Sequence, residues 1–179
     1  LAYKSNITIN NVVVDSCKGA GIYIDQSNIK INGSLFSNIV GNGVTVKNSQ
    51  LEIKGSRFSK SNAGISVENS TLYMNTSKVD SNALGLSSNA TSVFIKESEF
   101  SYNYNTNTSG GGLRIVSAPE AILEKVKIFH NYTTSAGGGI DFKGTNPVLK
   151  NVEIAYNSSD FTGGGINFES LGTGQIALQ

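Results

Sequence analysis

One pattern of apolar residues returns seven times along this chain, at intervals of 20 to 28 residues, and no single copy of it can bury anything alone. The copies read 6–27, 28–49, 50–70, 71–90, 91–118, 119–145 and 146–171, with a partial eighth running to Gln179. Each begins with an alternating pair: Ile7/Ile9, Ile29/Ile31, Leu51/Ile53, Leu72/Met74, Val93/Ile95, Ala121/Leu123 and Pro147/Leu149. Five residues later comes one large apolar residue: Val14, Phe36, Phe58, Val79, Phe100, Ile128 or Ile154. A second alternating pair follows a glycine: Ile22/Ile24, Val44/Val46, Ile65/Val67, Leu86/Ser88, Leu113/Ile115, Ile140/Phe142 and Ile166/Phe168.

Period-two alternation means short strands with one buried face. Three such strands per copy, with no helical stretch, fold only if each copy covers the next and all the apolar columns face one interior. The architecture that meets this demand is an all-β parallel β-helix of about seven to eight rungs, three short strands per rung. Its rungs lie ~4.8 Å apart, so seven make a rod of roughly 30–35 Å. A leucine-rich repeat would show an L-x-x-L-x-L spacing, which is missing. Antiparallel sandwiches would show hairpin turns between unlike strands rather than one turn recurring in register.

Glycine marks the bend before the second pair in every rung: Gly21, Gly43, Gly64, Gly85, Gly112, Gly139 and Gly165. In the last three rungs it closes a triplet, and Gly112, Gly139 and Gly165 are 27 and 26 residues apart. A sharp turn stacked on the turn above predicts positive φ at these positions, which glycine alone takes without steric cost. Phosphate binding would need a helix after the glycines, and none follows. Three residues beyond the large apolar position lies another column: Cys17, Ile39, Ser61, Asn82, Asn103, Asn131, Asn157. The four asparagines read as an interior ladder, bonded to each other and to the backbone. Cys17 shares that column and reads as a buried thiol rather than a nucleophile.

Composition narrows the function classes. A net charge of +1 argues against nucleic acid or an anionic membrane surface as the main partner. No apolar run is long enough to span a bilayer, so this segment is not expected to insert into one. One cysteine forbids an intrachain disulfide. Neither Leu1 nor the closing GQIALQ carries a polar cap. The expectation is a single β-helix segment over 1–179, either part of a longer repeat protein or a unit stacking end to end with its own copies.

Phe100-Ser101-Tyr102-Asn103 followed by Gly110-Gly111-Gly112-Leu113 resembles the paired F-x-x-N and G-G-A-(I/L/V) repeats of chlamydial polymorphic membrane proteins. Ile128–Asn131 with Gly137–Ile140, and Ile154–Asn157 with Gly163–Ile166, are looser matches. Similar repeats occur in large surface proteins of some protists. The resemblance covers roughly residues 91–171 and implies a right-handed β-helix exposed outside the cell, used as an adhesin or passenger domain. The chain departs from the pattern in that glycine replaces alanine in all three triplets, isoleucine replaces two of the three phenylalanines, and the first four rungs keep only the skeleton.

Polysaccharide-degrading enzymes use the same architecture, and the outward residues of the second strand are where such chemistry would lie. One row runs Tyr23, Thr45, Ser66, Ser87, Arg114, Asp141, Asn167, and the other Asp25, Lys47, Glu68, Asn89, Val116, Lys143, Glu169. No two carboxylates are adjacent in either row, as calcium ligation or paired acid–base work would require. Opposite charges on neighbouring strands instead read as a device that fixes register. His130 is the one histidine, with no metal-ligand spacing around it, and no cofactor motif is present.

Eight N-x-S/T sequons occur, at Asn6, Asn32, Asn69, Asn75, Asn89, Asn107, Asn131 and Asn157. Asn131 and Asn157 fall in the inward ladder and are expected to carry no sugar. Asn32 and Asn75, at one turn after the first strand, and Asn107, in the longest loop, are expected to be accessible, with Asn6, Asn69 and Asn89 as further candidates. Long connections in rungs five to seven are expected to bring Tyr104, Tyr132 and Phe161 onto neighbouring rungs, as a partner surface or as cover for the edge of the coil. The sequence thus leads to a non-catalytic extracellular or cell-surface β-helix, a rigid stalk or adhesin that meets glycans or surface proteins. The alternatives are a self-assembling extracellular filament subunit and a carbohydrate-active enzyme of the same fold.

Overall fold

The computed structural model describes residues 2–169 and 177–178. One rung shows how the pattern becomes a coil. Asn28–Asn32 runs extended and turns Ile29 and Ile31 inward. Gly33 takes φ 55°, the chain bends, and Leu35–Ile39 buries Phe36. Asn38 takes φ 52°, the chain bends again, and Val44–Lys47 buries Val44 and Val46. Asn48, at φ 49°, makes the last corner and starts the next rung.

Repetition of this rung produces three parallel sheets around one core: two of eight strands and one of seven, with no helix among the described residues. Register follows the repeat residue by residue. In the first sheet Ile7 faces Ile29, which faces Leu51, then Leu72, Val93, Ala121 and Pro147. The second sheet stacks Val14, Phe36, Phe58, Val79, Phe100, Ile128 and Ile154. Phe36 and Phe58 meet ring on ring at 4.9 Å. Each fully buried side chain of this size contributes roughly 1.5–3 kcal/mol.

A fourth, three-stranded sheet forms where the sequence suggested only long loops. Tyr104–Asn105, Tyr132–Thr133 and Ser158–Ser159 pair in parallel beside the asparagine corner. Stacked loops of similar length pair their backbones because leaving those groups unmatched against a packed neighbour is costly.

The corners hold the polar half of the core. Each bend is made by one residue at positive φ, and most are not glycine: Gln26, Asn48, Asn69 and Ala90 at one corner, Thr76, Glu97 and Lys125 at the next, Tyr102, His130 and Tyr156 at the third. The left-handed conformation costs a non-glycine residue roughly 1–2 kcal/mol. What offsets it is the next residue, whose side chain turns inward and in most rungs bonds along the axis, though after Lys125 it is Val126, which packs in the core instead. At the third corner Asn82 Nδ2 donates to Asn103 Oδ1 (3.1 Å), Asn103 Nδ2 to Asn131 Oδ1 (2.8 Å) and Asn131 Nδ2 to Asn157 Oδ1 (3.0 Å). Cys17 heads this column half-buried, its thiol donating to the Asp15 carbonyl.

Hydroxyl ladders fill the other two corners, a feature the sequence reading passed over. The Ser27 amide donates to Ser49 Oγ (2.9 Å) and the Ser49 amide to Ser70 Oγ (3.1 Å). In the second column the Ser34, Ser56 and Ser77 amides donate to Ser56, Ser77 and Ser98 Oγ, each at 3.1 Å. Each hydroxyl hydrogen also goes to a carbonyl two residues back, as from Ser34 Oγ to Asn32 O (2.9 Å). The first ladder runs to Thr91 and the second to Ser98, and each stops where the next rung places Ala118 or Val126 in the column.

The repeated glycines need a correction. Gly21, Gly43, Gly64, Gly85, Gly112, Gly139 and Gly165 do not have positive φ; in the triplets it is the first glycine, Gly110, Gly137 or Gly163, that does, at 78°, 72° and 60°. What excludes a side chain at most of the predicted positions is the next rung. A Cβ on Gly21 would lie 2.6 Å from the Gly43 carbonyl oxygen, and one on Gly112 2.7 Å from that of Gly139. Close axial approach, not backbone handedness, selects glycine there.

Candidate functional site

The outward rows of the third sheet line up in the order read from the sequence, Thr45 against Ser66, Ser87, Arg114, Asp141 and Asn167. Lys47 pairs with Glu68 (2.6 Å) and Lys143 with Glu169 (2.7 Å), while Asp25 accepts from Asn48 Nδ2 (2.9 Å). Hydrogen bonding to Glu68 pushes the Lys47 ammonium above its ordinary value. Ladders of the same kind recur on the other sheets, as Lys30–Glu52, Lys78–Glu99 and Arg57–Asp80. Exposed pairs add little stability but penalise a one-rung slip.

Asp141 departs from its row. It points to the outer face yet is only 2% exposed, with the Gly137 turn packed so closely that a Cβ there would stand 2.9 Å from the Asp141 Cα. Burial pushes its carboxyl above the ordinary range, against the Asn167 hydrogen bond (2.7 Å) and the charge of Arg114. Arg114 Nε stands 4.0 Å from Asp141 Oδ2, too far to hydrogen-bond. Among the described residues no three of His, Cys, Asp and Glu come together at metal-binding distance.

The aromatic positions divide. Tyr104 and Tyr132 stack at 4.5 Å, and Tyr132 Oη donates to Asp160 Oδ2 (2.6 Å), a bond that pushes the phenol up to about 12. Ser158, not Phe161, follows Tyr132 in the column. Phe161 lies three residues on and is 79% exposed, because the last loop pairs through Ser158–Ser159 before it turns. A second ring column went unread in the sequence: His130 lies between Tyr102 (4.9 Å) and Tyr156 (5.1 Å), nearly parallel to both. These three are the left-handed corner residues before the ladder asparagines, so the repeat itself could have revealed them.

A groove of about 660 Å³ lies on the outer face of the first sheet. Tyr73 and Phe94 stack at 5.0 Å on its floor and Ile122 continues the stripe, with Lys54, Lys96 and Glu124 along one margin. Asn75 Oδ1 is buried there without a hydrogen-bond partner. The signal for this stripe was the residue between each inward pair: Thr8, Lys30, Glu52, Tyr73, Phe94, Ile122, Val148. It turns apolar from the fourth rung on.

Of the candidate sequons, Asn6, Asn69, Asn89 and Asn107 are exposed, whereas Asn32 and Asn75 are half-buried. Asn131 is 1% exposed, with Nδ2 given to Asn157 Oδ1 and the Phe100 carbonyl. Three sequons follow from corner geometry. Asn32-Gly33-Ser34, Asn75-Thr76-Ser77 and Asn89-Ala90-Thr91 each end on a ladder hydroxyl placed after a left-handed residue. The N-x-S/T pattern there is a consequence of folding.

Comparison with known proteins agrees with the architecture. Residues 42–177 match the family described as "Right handed beta helix region". No curated protein matched the chain significantly. A solved structure of QnrB1, described as a plasmid-mediated fluoroquinolone resistance protein, is similar at 15% identity over 94% of this chain and 92% of that one. Its TM-score of 0.24 supports no inference about fold or function.

Proposed function

The chain belongs to the right-handed β-helix region family, and from that premise we propose that it serves as a non-catalytic rod, the rigid stalk or passenger segment of an extracellular or cell-surface adhesive protein. The observation that carries this reading is the continuous backbone pairing from rung to rung, reinforced over part of the coil by side-chain ladders. Backbone, two hydroxyl ladders and the Asn82–Asn157 ladder all run rung to rung, so bending or stretching the rod strains many bonds at once. Most outward charges are matched along the same axis, which leaves them engaged in register rather than gathered for chemistry. The resemblance of Phe100–Asn103 and Gly110–Leu113 to polymorphic membrane protein repeats supports placement outside the cell; in a eukaryotic secreted protein the exposed sequons at Asn69 and Asn107 would carry glycans, which would favour that source over the chlamydial analogy.

The test combines location with chemistry. Immunogold labelling of the native source is expected to mark the cell exterior, and deletion of the segment to weaken attachment. Incubation with polygalacturonate and other acidic or neutral glycans is expected to release no reducing ends and no unsaturated sugars. Cytoplasmic label would overturn the location, and product release the non-catalytic role.

A further inference from the structure

Arg114, the cation of its row, has a hidden Nε with no hydrogen bond, and it lines a cleft. The fifth rung carries a longer connection than the rungs before it, and its loop overhangs the outer face of the third sheet. Asn105 stiffens the overhang: its Nδ2 donates to Thr108 Oγ1 (2.9 Å) and the Gly110 carbonyl (3.0 Å), and its Oδ1 accepts from the Asn107 (3.0 Å) and Thr108 (3.1 Å) amides. Under it lies a space of about 310 Å³ lined by Asn42, Asn62, Ser66, Ser87, Asn107 and Arg114 among others, with no carboxylate in the wall. That volume is at the small end of ligand pockets.

The guanidinium is poorly served by the protein. Arg114 Nε is hidden from solvent and has no hydrogen-bond partner. Asp141, the nearest acid, is 4.0 Å away and already accepts from Asn167. A hidden charged donor left unpaired is costly, and a planar fork of donors suits a carboxylate, sulfate or phosphate better than a single water. Ser87 and Ser66 lie one and two rungs along the same row, ~4.8 Å apart. The cleft therefore offers one cationic fork at its end and hydroxyls and amides at rung spacing beside it. It holds no tyrosine, phenylalanine or tryptophan.

We propose that this cleft binds an oxyanion carried on a small hydroxylated ligand of saccharide type, with Arg114 taking the oxyanion and Ser66, Ser87 and Asn107 the hydroxyls. This site goes beyond the stalk reading and stands or falls without it.

The experiment is a titration of the isotope-labelled chain, followed by backbone amide NMR, with glucuronate, glucose 6-sulfate and glucose 6-phosphate, and with glucose as the neutral control. Saturable shifts confined to the amides around Ser66, Ser87, Asn107 and Arg114, at least about tenfold weaker for glucose, are expected. The acid that binds best identifies the oxyanion. Arg114→Gln should weaken binding by about tenfold or more, while Lys125→Gln, on the second corner and outside the cleft wall, should leave it unchanged. No saturable shift with any of the three acids, equal shifts with glucose, or shifts confined to other rungs would overturn the proposal. The wild-type shift map decides this even if Arg114→Gln does not fold.

Discussion

Replacing Asn103 by alanine tests whether the asparagine ladder holds the third corner closed. Four hydrogen bonds meet at this side chain. Oδ1 accepts from the Asn82 amide (3.0 Å) and Asn82 Nδ2 (3.1 Å), while Nδ2 donates to the Val79 carbonyl (3.2 Å) and Asn131 Oδ1 (2.8 Å). Alanine leaves the groups unequally provided for. Asn82 Nδ2 keeps the Phe58 and Asp80 carbonyls, and Asn131 Oδ1 keeps the Asn103 amide, but the buried Asn82 N–H loses its acceptor. An orphaned buried donor costs about 1–3 kcal/mol and each net bond lost about 1, so Asn103→Ala is expected to cost roughly 3–5 kcal/mol. Asn157→Ala likewise takes the acceptor from the Asn131 amide (2.9 Å), but Asn157 is half-buried at the end of the ladder and solvent can serve the freed donor, so it should cost less, roughly 1–2 kcal/mol. Urea unfolding followed by far-UV circular dichroism measures both. Native-state hydrogen exchange should show the Asn82 amide losing protection while the Ser27 amide, rungs away, keeps it. Asn103→Asp sharpens the case. It retains the acceptor for Asn82 but turns a second oxygen toward the Val79 carbonyl and Asn131 Oδ1. Burial raises the folded-state pKa of such a carboxyl above its unfolded value, so the variant should gain stability as pH falls through the folded pKa. A cost for Asn103→Ala no larger than that for Asn157→Ala would refute the reasoning.

Axial crowding predicts that Gly112→Ala, whose Cβ would sit 2.7 Å from the Gly139 carbonyl oxygen, costs about 2 kcal/mol or more, while Gly165→Ala, with nothing described nearer than Ile154 Cγ2 at 3.7 Å, stays within about 0.5 kcal/mol; thermal unfolding checks both. Asp141 has its folded pKa raised by burial, so its penalty appears as pH rises above 3.8 and is complete above the folded value. Relative to Asp141→Asn, the wild type should therefore be more stable at pH 3 than at pH 7, Arg114 and Lys143 pulling against Glu169 in setting the size of the change, as paired urea titrations at the two pH values would read. The Tyr132 phenol, held up to about 12 by Asp160, should titrate nearer 10.0 in Asp160→Asn when its ring signals are followed by NMR. Expressed in a eukaryotic secretory host, the chain should carry sugar at Asn69 or Asn107 and none at Asn131, whose amide nitrogen is committed inside; glycopeptide mapping with sugar on Asn131 would contradict the ladder.

Some features of the molecule were legible because they repeat. The inward pairs, the large apolar column and the asparagine column recur at fixed offsets, and each offset maps to one position on a rung. Ile7 to Pro147 could be aligned by eye and are aligned in space. The hydroxyl ladders were equally periodic, at Ser27, Ser49, Ser70 and Ser34, Ser56, Ser77, but serine reads as surface or turn when its neighbours are not in view. Tyr73, Phe94 and Ile122 were missed for a similar reason: only the outward residues of the second strand were tested for function.

Periodicity determined the strands, their inward faces, their register and so the coil, because only rung-on-rung stacking buries a pattern repeated every 20 to 28 residues. The tertiary structure alone decided how non-repeating lengths settle on that coil. Whether Ser158 or Phe161 follows Tyr132 depends on where the last loop pairs and turns, and the half-burial of Arg114 and burial of Asp141 depend on which loop overhangs which rung. Glycine was legible as necessary, but its reason was not. A sequence shows that a residue is small, whereas the carbonyl oxygen 2.7 Å from where a Cβ would stand at Gly112 belongs to Gly139, a full rung away along the axis.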